Sequence, residues 1–194
     1  MIKNIWLLDE VPACWPAPPG VRMAMCVALP DVLPAPRFAA VVIERFTDVA
    51  YADRPGGPTG CVVVAEEHPL RGADWLERRW RDGGPRFKHM AIARRAAGLT
   101  PREFSDRWRD RAGRVGATPI PEPARGLAYV QNHPLPGDRP FDAVNEVWFD
   151  DLDGLRARVD WFASHVDGED DLVGEHWFLA VREEVRRTGG SGPP

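Results

Sequence analysis

Lysine is almost missing from this chain. Lys3 and Lys88 are the only two among 25 basic residues in 194, so arginine carries nearly all of the positive charge. Cysteine is scarce too. Cys14, Cys26 and Cys61 are odd in number and widely spaced, and they form no CxxC pair, which argues against a disulfide framework or a thiolate metal site. Cys26 and Cys61 fall inside apolar runs and read as core residues. No apolar run reaches the roughly 18 residues that a membrane helix needs. The opening MIKNIWLLDEVPACW carries acidic residues where a signal peptide would carry its apolar stretch. The net charge of −4, with both signs interspersed, argues against a nucleic-acid surface or a polybasic membrane patch. A phosphate-binding glycine loop is absent, and no two histidines and a carboxylate fall at metal-ligand spacing. The expectation is a cytoplasmic protein without metal or organic cofactor, whose partners include no nucleic acid and no membrane.

What remains is ordinary globular composition, 44% hydrophobic and 28% charged, in a chain long enough to bury a substantial core. Proline- and glycine-rich stretches at Trp15–Gly20 and Asp53–Gly60 punctuate the first part, and Gly83-Gly84-Pro85 ends it. Residues 1–84 therefore form one half and 85–187 a second, with a disordered tail at 188–194. Within the first half, Gly72–Asp82 has helical spacing of Trp75, Leu76, Arg79 and Trp80.

The second half is clearer. Phe87–Arg94 reads as a strand, and Thr100-Pro101-Arg102-Glu103 is a capping box opening a helix whose stripe is Phe104, Trp108, Arg111 and Val115. Gly126–Pro134 and Ala143–Phe149 read as strands. Asp151 or Asp153 caps a helix with Leu152, Leu155, Val159, Phe162 and Val166 on its apolar face, and Glu175–Val181 is the last strand. The order β-α-β-β-α-β predicts an α+β, ferredoxin-like unit, with residues 1–84 as a diverged, degenerate ferredoxin-like repeat. Helices cover one face of such a sheet, so its other face needs a second sheet, from another chain or from an internal repeat. Glu66–Gly72 and Gln131–Gly137 share His-Pro-Leu and the final glycine. The coincidence reads either as the relic of a duplication or as a strand-ending turn that recurs by chance.

A strand period of two puts Tyr129, Gln131 and His133 on one face. In the next strand Val147 and Phe149 suit the helix-covered face, leaving Glu146 and Trp148 opposite. If these two sets share a face, a phenol, an amide, an imidazole and a carboxylate converge, which are the parts for enolisation chemistry. His133, Tyr129, Glu146 and His89 are the candidate catalytic residues; Gln131, Trp148 and His176 are candidates for substrate binding. The plainer reading makes His133 a turn residue and pairs Glu146 with an arginine. His165, at a helix end, suits terminal carbonyls.

The passage Lys88–Arg95, then Gly98-Leu99-Thr100-Pro101-Arg102-Glu103-Phe104 and Trp108, resembles the opening of an EthD domain. The resemblance continues through Tyr129–His133 and Glu146-Val147-Trp148-Phe149-Asp150-Asp151, ends near Phe178, and covers about half of the chain. The family helix carries a histidine four residues after its tryptophan, where this chain has Ala112. The resemblance implies a dimeric α+β barrel with an apolar cavity between two sheets. It further implies a cofactor-independent cyclase- or dehydratase-like enzyme of secondary metabolism, acting on an aromatic or polyketide-like hydrophobic substrate, with a homodimer among the expected assemblies. A cofactor-free monooxygenase of the same class and a non-catalytic binder of a hydrophobic metabolite are the alternatives.

Overall fold

A computed structural model describes residues 1–16, 20–47, 60–115, 119–137, 139–165 and 171–186. The stretch 53–59, the tail 188–194 and Val166 lie outside the described residues, as do the side chains of Arg111, Ala112 and Val115. Strands β1 (Ile2–Leu8), β2 (Arg22–Ala28), β3 (Ala40–Phe46) and β4 (Cys61–Arg71) come first, then helix α1 (Ala73–Asp82) and β5 (Gly84–Arg95). They are followed by α2 (Pro101–Val115), α3 (Glu122–Arg125), β6 (Ala128–Pro134), β7 (Ala143–Phe149), α4 (Leu152–His165) and β8 (Val173–Arg186).

The eight strands close into one barrel in the order β1-β3-β2-β8-β5-β7-β6-β4, and every pairing is antiparallel. This corrects the expectation of an α+β ferredoxin-like fold: the structure is mostly β, 46% strand against 24% helix, and its described strands form a closed barrel in place of an open sheet. The physical reason lies in the sheet edges. Unpaired edges are a liability, and here β4 pairs with β6 and β2 with β8, so the chain closes its own barrel.

The pairing carries an internal two-fold pattern. The first half is ordered β4-β1-β3-β2 and the second β8-β5-β7-β6, and the registers match. Lys3 lies opposite Arg45 and Ala65, as Lys88 lies opposite Trp148 and Val181. At the two seams Cys26 faces Glu183 and Asn132 faces Glu67. The sequence follows suit in Ile2-Lys3-Asn4-Ile5 beside Phe87-Lys88-His89-Met90, and in Ala40–Phe46 (AVVIERF) beside Ala143–Phe149 (AVNEVWF). The two His-Pro-Leu blocks do not follow it. They lie on β4 and β6, neighbouring strands that hold different places in the two orders.

Inward residues alternate along each strand, and an eight-stranded barrel is just wide enough for side chains to fill. Ile5, Leu7, Val41, Ile43, Ile92 and Leu179 pack the apolar part. One end is closed by Phe38 and Phe141, each two residues before its strand, with ring centroids 6.0 Å apart and edge to face. At the other end Lys3 and Lys88, both 0% exposed, share one carboxylate: Lys3 Nζ lies 2.7 Å from Glu146 Oε1 and Lys88 Nζ 2.6 Å from Glu146 Oε2. Lys3 also pairs with Glu67 at 2.9 Å, Lys88 pairs with Glu183, and Arg45 joins Glu67 at 2.6 Å. Burial works to lower the pKa of both lysines, but the surrounding carboxylates outweigh it and hold the amines protonated.

Helix α1 seals this charged end, with Arg79 3.3 Å from Glu183 and the Trp80 ring beneath the Arg45 guanidinium. Its approach needs Gly72, at φ +73, where a Cβ would lie 2.4 Å from the Leu127 carbonyl oxygen.

Outside, the halves differ. The outer face of β1–β3 is covered by the chain around Trp15, whose indole joins those of Trp6 and the Asn4 amide in donating to Glu44. In the second half α2 and α4 do the covering. Thr100 and Glu103 form the capping box, with Thr100 N donating to Glu103 Oε2 at 2.8 Å and Glu103 N to Thr100 Oγ1 at 3.2 Å. Asp151 caps α4 through Gly154 N at 2.8 Å. No described helix is long and apolar enough to cross a membrane.

Glu146→Gln leaves two buried ammonium groups facing a neutral amide, and urea unfolding is expected to show a loss of about 3–5 kcal/mol. The triple replacement Lys3→Met, Glu146→Leu, Lys88→Met removes the charges together and is expected to cost clearly less.

Candidate functional site

Tyr129, Gln131 and His133 share a face, but it is the outer one, and it does not include Glu146. In antiparallel pairing, opposed residues share a face, and Tyr129 opposes Val147 while Val130 opposes Glu146. Glu146 and Trp148 therefore point into the barrel. Glu146 is fully enclosed, takes Asn132 Nδ2 at 2.8 Å besides the two lysines, and has its pKa held down to about 2: burial pushes it up, but Lys3 and Lys88 prevail. Trp148 donates its indole N–H to Glu183 at 3.1 Å and has Lys88 Nζ 4.6 Å from its ring centre. Both residues belong to the interior ion network, and the interior space is filled by it and by the apolar core.

His89 lies on the outer face beneath α4, stacked on Phe178 at 5.5 Å and against Phe162 at 5.2 Å. Burial, with a smaller push from Arg158, lowers its pKa to about 3. His176 is exposed on β8, with its ring 5.0 Å from Phe178 and apart from the Tyr129 face. His165 stacks on Trp161 and bonds the Trp161 carbonyl at 2.7 Å.

Barrel closure completes the Tyr129 face with residues from two other strands. Across β4, β6 and β7, Glu66 lies beside His133, Gln131 lies between His68 and Asn145, and Arg71 lies beside Tyr129. The Trp108 indole N–H donates to Asn145 Oδ1 at 3.4 Å, which turns Asn145 Nδ2 toward the Tyr129 hydroxyl at 3.3 Å. The Trp108 carbonyl accepts from Gln131 Nε2 at 3.4 Å, and the same nitrogen lies 3.5 Å from the Tyr129 hydroxyl. Trp108 thus orients both amides. Two N–H groups point at the Tyr129 oxygen, which leaves its proton free to donate outward. Burial raises the phenol pKa, so the proton stays on.

Gln131 Oε1 then faces His133 Nε2 at 3.1 Å. An amide oxygen only accepts, so Nε2 carries the hydrogen and Nδ1 keeps its lone pair. Burial lowers the His133 pKa to about 4, aided by His68 and Arg109 and opposed by Glu66. The His68 ring stands edge-on to His133 at 4.7 Å and lies 3.2 Å from Glu66. Among the described residues no three metal-ligating side chains converge.

His68, Arg71, Asn145 and the orienting Trp108 were missed by sequence reasoning. His68 stood out only as part of a repeated tripeptide, and its place beside Gln131 depends on a long-range seam. No family model matches the chain, and a comparison with curated proteins found no match.

Ring nitrogen shifts should show His133 as the neutral Nε2–H tautomer at pH 6, titrating near pH 4, and Gln131→Ala should scramble the tautomer. For His89, a folded pKa of about 3 against an ordinary 6.5 means that its stability contribution is present above pH 6.5 and lost as pH falls toward 3. Replacing it, as His89→Phe, should remove about 1.4 kcal/mol of acid sensitivity per pH unit below 6.5, read by denaturant unfolding.

Proposed function

We propose that the outer face of β4, β6 and β7 is the active site of a cofactor-independent, cyclase- or dehydratase-type enzyme for an aromatic or polyketide-like substrate. One observation carries the reading: a buried imidazole, neutral at physiological pH, is held in a single tautomer with Nδ1 left as a base. In this scheme His133 Nδ1 takes a proton from carbon next to a substrate carbonyl, and the Tyr129 hydroxyl donates a hydrogen bond to the enolate oxygen. The proton on the imidazolium then goes to the oxygen formed in an aldol closure, or to a leaving hydroxyl that departs as water. Gln131 and Asn145 act as positioning residues. The EthD resemblance over residues 87 to about 178 supports the same chemistry, and three free cysteines suit a cytoplasmic setting.

Neither Glu146 nor Trp148 takes part in this scheme. Both point into the barrel, where Glu146 is 0% exposed, and face away from Tyr129 and His133.

The test is deuterium exchange at the acidic carbon of ethyl benzoylacetate, followed by NMR. His133→Ala is expected to lower the enzyme-dependent rate 10²- to 10⁴-fold and Tyr129→Phe by a smaller factor. A base with a pKa of about 4 is unprotonated above that value, so the rate should be flat from pH 5 to 8 and fall below pH 4. Folded variants that match the wild-type rate would sink the proposal.

A further inference from the structure

Helix α4 buries an arginine on its apolar face. Arg158, 5% exposed, follows Leu155 by three residues and precedes Phe162 by four, so it points at the sheet with them. Its guanidinium lies 4.4 Å from the Phe162 ring centre and 5.5 Å from that of Trp161. Nη1 donates to the Ala124 carbonyl at 3.4 Å, and Nε is buried without a hydrogen-bond partner. Among the described residues no carboxylate pairs with it. Arg71 repeats the pattern: Nη2 reaches the Arg125 and Gly126 carbonyls, Nε is buried and unpartnered, and no described carboxylate is paired. By contrast, among the described residues the buried Lys3, Arg45 and Lys88 of the barrel interior and Arg79 of its α1 seal each have a carboxylate at hand. Carbonyls at the end of the four-residue helix α3 do not cancel two cations.

Both cations act on Tyr129, which lies opposite Arg71 on β6. The outer face of β6 is thus a track with positive charge and a phenol at one end and the His133 base at the other. Four residues of strand separate the ends, about 13 Å.

The geometry points to a carboxylate-binding subsite at Arg158 and Arg71, so that the substrate is an elongated aromatic acid. The inference rests on reading this face as the active site. A guanidinium edge matches the two oxygens of a carboxylate, and the Phe162 and Trp161 rings exclude water from the pair. The anionic group anchors one end while the reacting carbon lies toward His133.

The experiment is calorimetric titration of the full chain at pH 7 with 2-naphthoate and its neutral counterpart 2-naphthamide. The acid is expected to bind at least ten-fold more tightly than the amide. Arg158→Met, which keeps the stem packed on Phe162, and Arg71→Met should each remove that preference, with the loss falling on the acid more than on the amide. Arg158→Met should also melt no lower than wild type, because a buried charge without a counter-ion is gone. Equal binding of acid and amide, or a preference that survives Arg158→Met, overturns the subsite. Lower melting of Arg158→Met with the preference intact would mark Arg158 as a cap for α3 and overturn it likewise. Displacement of 2-naphthoate by an equal concentration of inorganic phosphate would overturn the carboxylate assignment. His133→Ala should still bind 2-naphthoate, so an unaffected exchange rate in that variant would remove the base and leave the subsite standing.

Discussion

One carboxylate with an ammonium group on each oxygen organises the barrel. Glu146 occupies the position that Ile43 holds in the first half, while the lysines it joins, Lys3 and Lys88, are equivalent in the two halves. A single acidic side chain near the internal two-fold ties the halves together. A buried ion cluster of this kind is weak evidence for stability but strict about register. Slipping β1 or β5 by one residue would carry its lysine to the outer face and leave one oxygen of Glu146 without its counter-ion. The same requirement makes the seal by α1 necessary, because Arg79 and Trp80 keep water from the charged end.

Filling the interior decides where chemistry can take place. An eight-stranded barrel packed with ions at one end and aliphatic side chains at the other leaves its outer surface for function. On the first half that surface is closed by Trp15 over Trp6 and Glu44. On the second half two helices pack on the sheet, and the seam between β4 and β6 brings His68 and Arg71 to a strand already carrying Tyr129, Gln131 and His133. The seam that closes the barrel also assembles the face.

Local signals were legible. The Thr100/Glu103 box, the Asp151 cap, helix α1 and the alternation of Tyr129, Gln131 and His133 all follow from spacing and appear in the structure. The parity of β7 was also legible, with Val147 and Phe149 toward the helices. What could not be read was the pairing of one strand with the next, and that pairing alone decides whether Tyr129 shares a face with Glu146 or, as it does, with Val147. The closed barrel was illegible for the same reason: β2 and β8 are more than 140 residues apart, and nothing local marks their edges as partners. The repeat was present in the sequence, in AVVIERF and AVNEVWF, but the more conspicuous His-Pro-Leu blocks drew attention to the wrong strands.

The placement of the lysines also determines how the folded molecule meets amine-directed reagents. Both ε-amino groups are shut inside the barrel and protonated, so in the native state neither lysine is open to acylating labels, cross-linkers or amine-coupled surfaces. Lysine modification would report opening of the barrel and nothing less.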